Sequence, residues 1–407
     1  MRPRRQAAAS ASVTFGLLAF AACGGGGETD DADSDDLDET VTIGSNDVSI
    51  LMPLPTIEAE IDDLLALSDP AVDGPLLPEA IFDQLAATLD SPQAYAMLRV
   101  VALRIDPCFP SLSLLETNPA ACRRQLRLVV QPLEPDPVLG AIAADETYHL
   151  FYDLDDATFG ELAASLVALG TDATSSAATP LGVHPTITAE GLDGPTALAV
   201  RELVLGNAGP ARLTQITNMQ GFGVFWRFKG VTVSGGVLTP IVIDGLPDDA
   251  TGQTNGADNL GVFDISPASA TATQLQAALA GTFIPDGGVG GGTVELQAPV
   301  GEIVAALQLS LDIDNPERGF DPESLDCVTC HVASRARVRA AGLGFPSDEL
   351  VAFTNPRDLS VVEEPAGDSA PMAMRMFGYD LTVPVLNQRV VNESAAVADA
   401  IEALLGQ

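Results

Sequence analysis

Five residues, Cys327-Val328-Thr329-Cys330-His331, constrain this chain more than any other stretch. The two thiols lie about one helical turn apart and an imidazole follows directly. With 5 Cys and 3 His in 407 positions, chance supplies about 0.0005 such matches. A thioredoxin-like dithiol would open a helix behind a buried strand, whereas Asp321-Pro322-Glu323-Ser324-Leu325-Asp326 precedes this one. A zinc site needs a second ligand pair, and His149 and His184 are isolated in the sequence. A structural disulfide would leave His331 without a role.

The motif resembles the attachment site of c-type cytochromes. The resemblance implies one covalently bound haem c, with thioethers from Cys327 and Cys330 and His331 as the proximal iron ligand. Downstream runs Pro371-Met372-Ala373-Met374-Arg375-Met376. This layout is similar to the ligand loop of short class I cytochromes c, which makes Met372 the first candidate for a distal ligand, then Met376 and Met374. Core packing is the competing role for each methionine, and His149 or His184 is the other possible haem partner. A final helix is expected over Ala395–Leu405, capped by Asn392-Glu393-Ser394. Pro316, Gly319 and Pro322 leave the helix that precedes the motif in that family short or absent. Arg335, Arg337 and Arg339 follow the motif, placed either to pair haem propionates or to form a solvated face.

The N-terminus reads as an export signal: Met1-Arg2-Pro3-Arg4-Arg5, a small and apolar run from Ala7 to Ala22, then Cys23. Phe20-Ala21-Ala22-Cys23 resembles the lipobox of bacterial lipoproteins, with Phe20 where Leu is usual. The resemblance implies cleavage after residue 22, lipidation of Cys23 and a hold on a lipid bilayer. Residues 23–45 open with Gly24–Gly27 and an acidic run, a flexible tether. The place implied is the bacterial cell envelope, facing the periplasm or on the outer-membrane surface. Export favours a disulfide between Cys108 and Cys122.

Charge restricts partners. The 19 basic residues against 56 acids give a net charge of −37, with Lys229 the only lysine. Nucleic-acid binding is excluded by long-range repulsion. Arginine is concentrated late: residues 313–407 hold 7 Arg against 15 acids.

Residues 46–312 carry no catalytic signature. Strands are expected at Val48–Pro55, Leu98–Ile105, Gln125–Gln131 (interrupted by one arginine), Thr147–Tyr152, Leu203–Leu205, Phe222–Phe228, Val231–Val233 and Leu238–Ile243. Helices are expected at Phe159–Leu169, Ala272–Leu279 and Val300–Leu309. The fold class expected is α+β: a β-rich, sandwich-like N-terminal region with peripheral helices over 46–312, then a small, mainly helical cytochrome c-like segment over 313–407. The function expected is one-electron transfer with a redox partner protein, rather than catalysis. Two alternatives are a haem-free surface lipoprotein binding a partner or ligand, with a CxxC disulfide, and an open-site, peroxidase-like haem enzyme.

Overall fold

Runs of β-branched and aromatic residues build one ten-stranded antiparallel sheet. Its strands are β1 (Ser49–Leu51), β2 (Leu98–Phe109), β3 (Arg123–Asp136), β4 (Gly140–Ala143), β5 (Glu146–Leu154), β6 (Leu213–Phe222), β7 (Phe225–Ser234), β8 (Val237–Pro240), β9 (Gly252–Ala257) and β10 (Phe263–Ser266). The order across the sheet is β1-β2-β3-β5-β6-β7-β9-β10, with β4 on β3 and β8 on β7. The computed structural model describes residues 43–89, 94–170, 179, 181–257, 263–280, 283–284, 298–317, 319, 324–342, 353, 357 and 376–406.

Side chains alternate between the two faces of a strand, and here the faces differ in chemistry. One carries Leu103, Ile105, Leu126, Leu128, Tyr148, Leu150, Tyr152, Ile216 and Val231, all buried. It packs on the segment before β2: Phe82 meets Tyr148 edge-on, and the Tyr152 hydroxyl donates to the Leu76 carbonyl at 2.9 Å. The other face is mixed. Arg104, Arg127, Phe151 and Gln215 form one row across it. Val129, His149 and Thr217 form the next. Thr147, Met219 and Phe228 form a third.

The helices include α1 (Glu79–Leu89), α2 (Asp156–Gly170), α3 (Pro195–Asn207), α4 (Ala270–Ala280), α5 (Val300–Ile313), α6 (Cys327–Gly342) and α7 (Gln388–Leu405). The class is therefore α+β. Helices α4, α5 and α6 share an apolar cluster with Met219, Trp226 and Phe228 of the sheet. Phe377, Tyr379 and six α7 side chains (Val390, Val391, Ala395, Val397, Ala398 and Ile401) join the main core instead. Among the described residues, none of the helices is long and apolar enough to cross a membrane.

Between α6 and α7 lies a hairpin, β11 (Phe377–Asp380) with β12 (Val383–Leu386). Gln131 clamps it like an extra strand. Its amide accepts from Tyr379 N at 2.8 Å and donates to Tyr379 O at 3.0 Å. A Cβ at Gly378 would stand 2.6 Å from Gln131 Oε1, and φ is +142° there, so glycine is required.

Several expectations are corrected. Leu203–Leu205 is helical, within α3: burial of Ala197, Val200 and Val204 gives the helix period that three residues could not display. Phe222–Phe228 is broken by a turn at Gly223, with φ +69°, so two strands pair where one was expected. The β-region is one sheet covered by helices and a hairpin, not two stacked sheets. The described part of 313–407 includes that hairpin, so it is not helical throughout. Helix α7 starts earlier than expected. Asn387 caps it, accepting from Val390 N at 2.9 Å, while Asn392 is buried inside the helix and donates to Asp314 O. A long buried polar side chain there imitates a cap in sequence.

Cys108, at the end of β2, is bonded to Cys122, just before β3, across a sequence separation of 14. In the chain-entropy model, closing a loop of that length is worth about 3 kcal/mol. The double variant C108S/C122S should lose about that much unfolding free energy in urea titrations. An unchanged midpoint would contradict this account.

Candidate functional site

Asp326 sets the motif in place. Its carboxylate caps α6, accepting from Thr329 N at 3.0 Å. Gln253 of β9 and Ser269 hold that carboxylate at 2.8 and 2.6 Å. The Gln253 amide oxygen also accepts from Val328 N at 2.8 Å. The first turn of α6 is thus pinned to the sheet. Val328, Thr329, Val332 and Ala333 turn inward and are fully buried. Cys327, Cys330 and His331, at i, i+3 and i+4, therefore share the other face.

That face opens onto a cleft of about 200 Å³. A lone water needs only roughly 10–15 Å³, so the space suits something far larger. Cys327, Cys330 and His331 line it on the α6 side. The mixed face of the sheet supplies Arg104, Arg127, Thr147, His149, Phe151 and Met219, and the C-terminal elements supply Met376, Arg389 and Glu393. The His331 ring lies against Phe228 with centroids 4.7 Å apart. The Cys327 and Cys330 sulfurs are not bonded to each other. Burial pushes both thiols up, to about 12 and about 11, so both are protonated at neutral pH.

At one end of the cleft sits a network of three arginines and two acids. Arg104 bridges Asp106 at 2.7 Å and also pairs with Glu393. Arg127 reaches Asp106 at 3.1 Å, and Arg389 pairs with Glu393. Two further buried acids, Asp314 and Asp326, act on Cys330 in the same cleft. The Nε atoms of Arg104 and Arg127 are buried without a hydrogen-bond partner. Burial pulls the Arg127 guanidinium down to about 10, and the ring of Phe151 lies 4.6 Å beneath it. For Glu393, burial pushes the carboxyl up, but the charges of Arg104, Arg389 and Arg127 outweigh it and hold it at about 2. Asp106 Oδ2 is likewise buried without a hydrogen bond.

Two histidines fall on opposite sides of the account. His184 caps the helix Pro185–Glu190, its Nδ1 accepting from Ile187 N at 3.3 Å, and it does not line the cleft. His149 does line it. Burial, then the charges of Arg127, His331 and Arg104, drive its imidazolium down to about 3, so the ring is neutral.

Of the residues singled out in sequence, the fold brings Cys327, Cys330, His331, His149 and Met376 to one cleft. Met372, Met374, Cys23, the leader and the tether up to residue 42 lie outside the described residues, as do the side chains of Arg335, Arg337 and Arg339. The tether expected over 23–45 is cut short, because Ile43 is buried in the core and Ser45 is buried at a helix start. Sequence reasoning missed Asp326, Gln253 and the Arg104–Asp106–Arg127–Arg389–Glu393 network. The signal for Arg127 was present as a charge interrupting an apolar strand. Asp326 stood one residue before a helix start, a capping position. No known family model, curated protein or solved structure matches this chain.

E393Q should destabilise the protein by about 3 kcal/mol at neutral pH, because it strands buried guanidinium charge. The folded carboxyl lies near 2 against an ordinary value of 4.5. Its contribution is therefore complete above that ordinary value and is lost as the pH falls towards 2. Urea titrations of both proteins across acid pH should show the gap closing. A gap independent of pH would contradict the charge assignment.

Proposed function

We propose that this protein is a membrane-anchored envelope cytochrome of the c type, carrying one covalent haem and passing single electrons to a redox partner protein. One observation carries the reading: Cys327, Cys330 and His331 share one helix face that opens onto a large cleft also lined by Arg104, Arg127 and Arg389. Haem supplies a one-electron iron couple when bound. Cys327 and Cys330 would hold the macrocycle through thioethers and His331 would bind the iron. Arg104 and Arg127, with unpaired Nε atoms, would receive its carboxylates. Phe109, Phe151, Phe228 and Leu325 would exclude water.

One rival use of the thiols is disfavoured: a redox dithiol needs a thiolate of depressed pKa, and here burial raises both. The lipidated Cys23 and the acidic tether of residues 23–42 would stand the sheet off from the membrane. The C-terminal segment would serve as the haem-bearing part, though its hairpin sets it apart from a short class I cytochrome.

Expression in a bacterium with haem-ligation machinery tests this. The wild-type protein should give a c-type pyridine haemochrome spectrum at one haem per chain, and C327A/C330A should carry no covalent haem. Haem-free wild-type protein, or equal haem in both, overturns the proposal.

A further inference from the structure

We infer that His149 is the second axial ligand of the iron, opposite His331, so that the centre is bis-histidine rather than His/Met. This rests on the haem reading above and goes beyond it by naming the residue that closes the coordination sphere. His149 sits on β5 between Thr147 and Phe151, and all three side chains line the cleft. The register fixes where it stands. His149 pairs with Thr217, and one step along the sheet Thr147, Met219 and Phe228 form the row whose last ring carries His331. Strands are about 4.8 Å apart and residues rise about 3.4 Å. Two strands across and two residues along, His149 and Phe228 are separated by on the order of 12 Å of cleft floor. His149 thus faces the space from the sheet while His331 enters it from α6.

His149 also differs from its rivals in its local partners. Among the described residues its ring neighbour is Phe151, with centroids 6.4 Å apart, and no hydrogen bond ties either ring nitrogen to a protein atom. The ring is half-buried and borders the cleft, so an occupant of the cleft can supply its partner. His184 has one, as a helix cap. Met219 is packed into the apolar cluster with Trp226 and Phe228, and Met376 packs against the main core. Apolar packing accounts fully for a thioether but not for an imidazole.

The test uses haem-loaded full-length protein. The wild type should be low-spin in both redox states, should lack the near-infrared band of a sulfur-bound ferric iron, and should not bind carbon monoxide when reduced. H149A should become high-spin when ferric and bind carbon monoxide, and added imidazole should restore the low-spin spectrum. M376L should behave as wild type. Should H149A fail to accumulate, H149M keeps the bulk and should raise the midpoint potential and bring in the sulfur–iron band. Haem-loaded H149A that stays low-spin and inert to carbon monoxide overturns this inference alone, as does an H149M potential equal to wild type. Wild-type protein without haem overturns the reading beneath it as well.

Discussion

Five charged side chains leave water together on one face of the sheet, and the rest of the site is arranged around that cost. Arg104, Asp106 and Arg127 come from β2 and β3, and Arg389 and Glu393 from α7. Removing ions from water costs several kcal/mol each unless partners are well placed. The network therefore ties the C-terminal helix to the sheet in one register. Arg389 extends the tie by donating to the carbonyl of Ile313, at the end of α5. The same network lines the cleft with three guanidinium groups.

The second constraint is the pinned first turn of α6. Without the Asp326 cap and its Gln253 and Ser269 supports, the five-residue motif could rotate about its axis and point its thiols elsewhere. With them, Val328 is committed to the apolar cluster, Thr329 is buried, and the chemistry-bearing side chains are committed to the cleft. Fold and function meet at this point. A large antiparallel sheet provides a rigid floor, and one helix end provides reactive groups at fixed positions above it.

Strands with aromatic or β-branched alternation were legible in the sequence, as at Thr147–Tyr152 within β5, and so were helices with a full apolar period, as at α2 and α4. Short apolar triplets such as Leu203–Leu205 were not, because either period fits three residues. The motif residues were legible because their spacing is chemically specific. The charged network was not, since its members lie up to 289 residues apart and only pairing across the sheet and the helix unites them. His149 was visible as a histidine in a strand, but its facing became clear only once the register was known.

The claim on which everything else rests is that the thiols at 327 and 330 are consumed in bonds to a porphyrin. Wild-type protein matured with haem-ligation machinery can be denatured, treated with a thiol-alkylating reagent and digested. The account predicts that the peptide spanning 327–331 carries haem and takes up no reagent. A colourless peptide alkylated at both cysteines would contradict it.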